Sequence, residues 1–187
     1  IIFMTVTFQL SWLCFILSPV ALSLVFWYSL AKRYTAFTQL FLGLAMAVAP
    51  IGGWLAAGGR GGLEPWLLGL AIGAWVAGFD VLYACQDFDF DRKCGLRSIP
   101  ARYGIQAALT ISRSMHVIAV TALASLVLVV PLGVVYLTGV ASVGALLAYE
   151  QSLVKANDLS RIKQAFDLNG YVGFVYLLVT AVALYVD

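Results

Sequence analysis

The stretch DVLYACQDFDFDRKCGLRSIPAR, residues 80–102, decides how this chain folds. It gathers four of the nine carboxylates, Asp80, Asp87, Asp89 and Asp91. It also holds four of the eleven basic residues, Arg92, Lys93, Arg97 and Arg102. The runs on either side are nearly uncharged. Ionised groups are costly to keep among apolar ones unless they meet water or a partner charge, so this island marks either a water boundary or a site.

Outward from the island the chain is apolar. Of its 187 residues 63% are hydrophobic and 11% charged, against roughly 25% charged in soluble domains. Apolar runs recur near the ~20 residues that cross ~30 Å of hydrocarbon. The expected class is all-α, a polytopic transmembrane helical bundle in a lipid bilayer, with no nucleic-acid partner. Six spans are predicted, over residues 14–30, 37–57, 65–79, 105–130, 134–149 and 168–186. Residues 1–13 read as the end of a further span or a short hydrophobic lead-in. Pro50, Gly52 and Gly53 predict a kink or thinning point, and residues 58–62 a glycine-rich turn. Residues 150–167 read as a second charged connection. Cys14, Cys85 and Cys94 form no CxxC pair and suggest no zinc site.

Charge fixes orientation. With connections numbered alternately, one side receives Lys32, Arg33, Arg92, Lys93, Arg97, Arg102, Lys155, Arg161 and Lys163. Arg113, near the start of its span, makes ten of the eleven basic residues. The other side receives only Arg60. Basic residues concentrate on the cytoplasmic side of membrane proteins, so the island faces the cytoplasm and the C-terminus the opposite side.

If the helix through Phe79 continues for three more turns, at about 100° per residue Asp80, Tyr83, Asp87 and Asp91 fall at about 0°, 300°, 340° and 20°. They form one stripe, and Asp89 points away. Like charges on one stripe repel, and a divalent cation relieves them. With no His or Cys on the stripe, a hard cation is favoured. Magnesium bridges one or two carboxylates to phosphate oxygens in this way. A solubilising cap on a span, with Arg92 and Lys93 as counter-charges, is the other reading.

The DVLYACQDFDFD segment, residues 80–91, resembles the second aspartate-rich motif of the UbiA superfamily of membrane prenyltransferases. Residues 95–104, GLRSIPARYG, resemble the continuation found in its quinone-biosynthesis branch, the 4-hydroxybenzoate polyprenyltransferase-like members. Residues 28–35, YSLAKRYT, resemble the family's tyrosine-to-lysine cytoplasmic connection. Asp158, Arg161, Phe166, Asn169 and Gly170 resemble its last one. The similarity covers essentially the whole chain, residues 1–187, as one membrane prenyltransferase domain, its C-terminal two-thirds. It implies nine spans and a first Asn-Asp-x-x-Asp motif facing the second. That first motif is missing here. The chain opens on Ile1 inside an apolar run, and the expectation is an N-terminally truncated record, inactive by itself.

The resemblance implies Mg²⁺ held by Asp80, Asp87 and Asp91. It places Tyr28 and Lys32, which share a helix face at i, i+4, beside a diphosphate. Lys32 and Tyr83 are the catalytic candidates, and Tyr28, Lys32, Arg97 and Asn169 the substrate-binding ones. Alternatives remain open at this stage: Lys32 as a topology anchor, and Asn169 as a helix–helix hydrogen bonder. Arg113 and His116 lie within a span at i, i+3 and could face one interior, where ionisable groups are functional candidates. The implied reaction moves a polyprenyl group from polyprenyl diphosphate to an aromatic acid acceptor such as 4-hydroxybenzoate, for ubiquinone. A dihydroxynaphthoate, for menaquinone, fits the same motifs. The implied location is the bacterial cytoplasmic membrane, with the site on its cytoplasmic face. The rival of another class is an ion-coupled transporter, which wants its acids near the midplane and paired broken helices.

Overall fold

The computed structural model describes residues 1–186. The expected six spans are present as helices long and apolar enough to cross a membrane. They are α2 (Trp12–Ala31), α3 (Thr38–Ala56), α4 (Glu64–Tyr83), α7 (Ile105–Ser125), α8 (Val134–Leu153) and α9 (Ile162–Val186). Two short helices, α5 (Phe88–Lys93) and α6 (Ile99–Tyr103), carry the charged island. The lead-in is α1 (Ile2–Leu10). Its nine residues reach only about 13 Å. Ser11 is extended and ends it, and its hydroxyl caps α2 by accepting from Cys14 N at 3.1 Å. The helix of α3 continues through Pro50 to Ala56 with no break at the expected kink.

The last connection is shorter than expected. It spans residues 154–161, not 150–167, because α8 continues to Leu153 and α9 starts at Ile162. The inward face explains this. Val143, Leu147, Glu150, Gln151 and Val154 are all buried, as are Ile162, Ala165 and Asn169 on α9. The apolar face thus extends through residues whose charges and amides look like loop in the sequence.

Helix α4 is the centre of the bundle, packing on α3, α7 and α9, while α8 joins α7 to α9. Its seam with α3 is built from small residues one turn apart, Gly69, Gly73 and Ala77 against Gly43 and Ala47. A Cβ on Gly43 would collide with the Gly73 carbonyl and lie 2.9 Å from Ala77 Cβ. Dispersion and close backbone approach hold membrane helices together where lipid is as apolar as the side chains.

The core divides into two apolar clusters. One includes Ala71, Leu123, Val140, Leu147 and Val172, toward the end of the bundle remote from the charged island. The other includes Leu82, Ile99, Leu109, Val154 and Ile162, toward the end that carries it. Between them every one of α4, α7, α8 and α9 contributes polar groups. Ser112 Oγ donates to Gly78 O at 2.7 Å, and Gln151 Nε2 donates to Ser112 Oγ at 2.7 Å. Gln151 Nε2 also lies 3.1 Å from His116 Nδ1, and Trp75 Nε1 donates to Asn169 Oδ1 at 2.8 Å.

Gly43→Val should cost about 1–3 kcal/mol of stability through overpacking, read as earlier thermal unfolding in detergent. Gly52→Ala, where a Cβ meets nothing within 4 Å, should leave the transition within about 0.5 kcal/mol. Equal behaviour of the two variants would remove the seam from the account of the fold.

Candidate functional site

The charged island folds in three pieces. Helix α4 ends at Tyr83, a 3₁₀ turn spans Ala84–Asp87, and α5 follows. The unbroken three-turn helix expected from the sequence is therefore interrupted, and the tighter turn rotates the residues beyond it. Asp89 and Asp91 lie in the first turn of α5 and Arg92 and Lys93 in its last, each favourable to the helix dipole. Gly95, at φ +66°, closes α5. Leu96 N donates to Asp91 O at 2.9 Å and Gly95 N to Arg92 O at 3.4 Å, the paired bonds of a Schellman cap.

This cap turns the chain back onto the end of α2. Arg97 N donates to Lys32 O at 2.9 Å, and Arg97 Nη1 donates to Tyr34 O at 2.7 Å. Carbonyls beyond the last turn of a helix lack partners of their own, and Arg97 supplies two. Arg97 also lines, with Arg92 and Arg102, a basic hollow of about 270 Å³. Ser98 then caps α6 by accepting from Ala101 N at 3.3 Å.

Lys32, at the C-cap of α2, is the hub. Its Nζ lies 2.8 Å from Asp91 Oδ1 and 3.6 Å from Asp87 Oδ2. Asp91 is wholly buried, whereas the Asp87 side chain is 51% exposed. Asp80 interacts electrostatically with Lys32 and Asp87, and Tyr28 with Asp80 and Lys32. The five groups thus share one field at the C-terminal ends of α2 and α4. Burial disfavours the Lys32 ammonium, but Asp91 and then Asp87 outweigh it and hold the amine above the ordinary lysine value. The sign follows: this stabilisation is complete below the ordinary lysine pKa and is lost only as pH rises through the raised one.

Among the described residues no three His, Cys, Asp or Glu side chains converge closely enough to hold a metal ion. The arrangement still suits one. Asp87 and Asp91 flank a single cation, the Lys32 ammonium, and Asp91 Oδ2 has no hydrogen-bond partner among the described residues. Two oxygen donors are what magnesium takes from a protein when phosphate and water complete its shell.

The remaining candidates lie around this hub. Asp89 is exposed, as expected. Tyr83 is 38% exposed, and its ring meets Phe166 of α9 at 4.6 Å between centroids. Phe166 in turn meets Phe79, and Phe79 meets Trp75. Asn169 sits in the second full turn of α9, deeper than expected, and its amide donates to Phe166 O at 3.2 Å. It is therefore tied to the aromatic column through both Trp75 and Phe166. Arg113 and His116 both border a hollow between α7 and α8 but differ in depth: His116 is buried and bonded to Gln151, while Arg113 is exposed.

Sequence reading missed Glu150. It is wholly buried, faces Asn169, and neither carboxyl oxygen makes a well-aligned hydrogen bond among the described residues. The available signal was its spacing from Val143 and Leu147, which puts it on the inward face of α8.

The sequence matches the UbiA prenyltransferase family over residues 1–181. It is 33% identical over 175 residues to a 4-hydroxybenzoate octaprenyltransferase of Vibrio parahaemolyticus, covering 90% of this chain and 59% of the relative. It is 34% identical over 162 residues to a protein of that name from Alkalilimnicola ehrlichii, covering 87% of this chain and 55% of the relative. A UbiA homologue from Aeropyrum pernix K1, solved in its apo form, superposes with a TM-score of 0.86 at 32% identity, covering 98% of this chain and 68% of that one. The chain thus spans little more than half the length of these curated relatives.

Lys32→Met should strand the Asp91 carboxylate in the core and cost about 3 kcal/mol, the low end for removing one member of a buried pair because Lys32 is partly exposed. Adding Asp91→Leu should restore most of the loss. A double-mutant cycle on thermal unfolding in detergent reads the coupling; additive losses would show that the pair is not the link between α2 and α5.

Proposed function

The chain belongs to the UbiA prenyltransferase family, and from that membership we propose that the full-length protein transfers a polyprenyl group from its diphosphate to an aromatic acid within the membrane. Residues 1–187 form one membrane prenyltransferase domain in this reading. The observation that carries it is the pairing of Asp87 and Asp91 on one cation at the charged ends of the spans. With Asp80, Asp87 and Asp91 ionised, the single Lys32 ammonium leaves two negative charges uncompensated, the complement of one divalent ion. Asp87 and Asp91, with Asp80 beside them, would hold Mg²⁺. Bound magnesium would neutralise charge developing on the departing diphosphate.

The protein's own groups do the rest. Lys32 is a compact donor at the end of a flexible stem. It can exchange carboxylate oxygens for phosphate oxygens, with Tyr28 one turn behind it. Arg97, tied to the Lys32 and Tyr34 carbonyls, fixes the loop against that turn and adds positive charge at its mouth. The carbon–oxygen bond of the allylic diphosphate breaks with its electron pair on the diphosphate. The resulting allylic cation meets the ring faces of Tyr83 and Phe166, and π faces attract cations. A ring carbon of the acceptor forms the new bond, and its proton leaves to restore aromaticity. Asn169 positions the aromatic column from behind.

The names of the relatives support 4-hydroxybenzoate as the acceptor, which also fits the quinone branch. Ion-coupled transport finds no support in the family, and the acidic pair stands at the ends of the spans, not at their middle, with Asp87 half exposed.

In the full-length protein Asp87→Asn should lower Mg²⁺-dependent prenyl transfer about a hundredfold or more, the scale of losing one aimed electrostatic contact to developing charge. Membrane insertion should be unaffected. Transfer of labelled polyprenyl diphosphate, with and without chelator, to 4-hydroxybenzoate or dihydroxynaphthoate in parallel measures both points. Near-normal transfer by the variant would sink the metal assignment, and preference for the naphthoate would move the acceptor.

A further inference from the structure

Helices α7 and α8 leave an open groove of about 440 Å³ on the outer wall of the bundle. Its walls are apolar, with Val117 and Val120 on α7 and Gly144 and Leu147 on α8, and its polar members are Arg113, His116, Gln151 and Thr121. No carboxylate lines it. Arg113 is exposed and makes no ion pair among the described residues, where the ion pairs belong to Lys32.

The depth of each end can be read from two hydrogen bonds. Gln151 Nε2 meets Ser112 Oγ at 2.7 Å and His116 Nδ1 at 3.1 Å, so residue 151 of α8 is level with the turn 112–116 of α7. Gln151 is two residues from the cytoplasmic end of α8 at Leu153. Arg113 lies in that turn, about 4.5 Å further out along α7 than His116, and so beside the last turn of α8. From there its long stem carries the guanidinium out toward the cytoplasmic headgroups, while Val117, Val120, Leu147 and Gly144 descend from it into hydrocarbon. Gln151 Oε1, at the same mouth, has no hydrogen-bond partner among the described residues.

We propose that this groove holds one phospholipid of the cytoplasmic leaflet with an anionic headgroup. Its phosphate lies against Arg113, whose planar fork matches phosphate oxygens, and an acyl chain lies along the apolar walls. An unpaired cation above an apolar slot, with no acid to repel the phosphate, has the charge and polarity profile of such a lipid turned inside out. The site stands outside the carboxylate cluster, so its occupancy does not depend on the proposed reaction.

The test is native mass spectrometry of the full-length protein extracted from bilayers of equal parts phosphatidylcholine and phosphatidylglycerol. The wild type should retain one phosphatidylglycerol in preference to phosphatidylcholine. Arg113→Gln should reduce that preference about fivefold, the equivalent of the ~1 kcal/mol one basic residue contributes near an anionic surface. Gly144→Leu should expel the lipid with Arg113 intact. A Cβ there meets Val120 at 3.5 Å, so the backbone tolerates it and the longer side chain fills the groove. Val117→Trp, at a position 65% exposed, blocks the opposite wall and serves as the second plug. Equal retention of the two lipids by wild type overturns the proposal. So does an unchanged preference in Arg113→Gln, unchanged retention in both plugged variants, or a retained prenylated aromatic acid in place of phospholipid.

Discussion

Asp91 is buried without any exposed surface, and Lys32 Nζ, 2.8 Å away, makes its charge tolerable. Much of the charged end of the bundle follows from this pair. A carboxylate taken out of water needs a partner at close range, so the end of α2 must lie against α5. Lys32 can meet it only if α2 stops where it does. The Schellman cap at Gly95 then delivers Arg97 to the carbonyls that this ending leaves open. Ion pair, helix cap and arginine clasp are three solutions to one problem, that of closing polar groups at a boundary where water reaches only one side.

The same problem recurs deeper and is solved differently. Between the two apolar clusters, Ser112, Gln151, His116, Trp75 and Asn169 satisfy one another with neutral hydrogen bonds. Glu150 joins this layer through Asn169 but keeps two oxygens without well-aligned donors. The bundle is therefore stratified: charge at one face, a neutral polar layer beneath, apolar packing beyond.

Much of this stratification was legible in the amino-acid sequence, for a physical reason. Span number and the position of the aspartate island depend on hydrocarbon thickness and on the placement of charge, both one-dimensional properties. The interruption at Ala84–Asp87 was not legible, because nothing in ACQD forbids an α-helix and the tighter turn is selected by what Asp91 must reach. Glu150 was assigned to a loop since a carboxylate beside Gln151 and Lys155 looks like a helix end; only the inward face shared with Val143 and Leu147 argues otherwise. The i, i+3 spacing puts Arg113 and His116 on the same side of α7, yet such neighbours differ by about 60° around a helix, enough to bury one and expose the other.

The glycine seam between α3 and α4 has a mechanical side. Backbones in contact at Gly43 and Gly73 cannot slide without driving a carbonyl into a neighbouring chain, so the two helices behave as one stiff lever. Thr38 at one end of that lever adjoins the connection that carries Lys32, and Asp80 lies two turns from Gly73 on the other arm. The span between ammonium and carboxylates is thus gauged by a contact well inside the membrane.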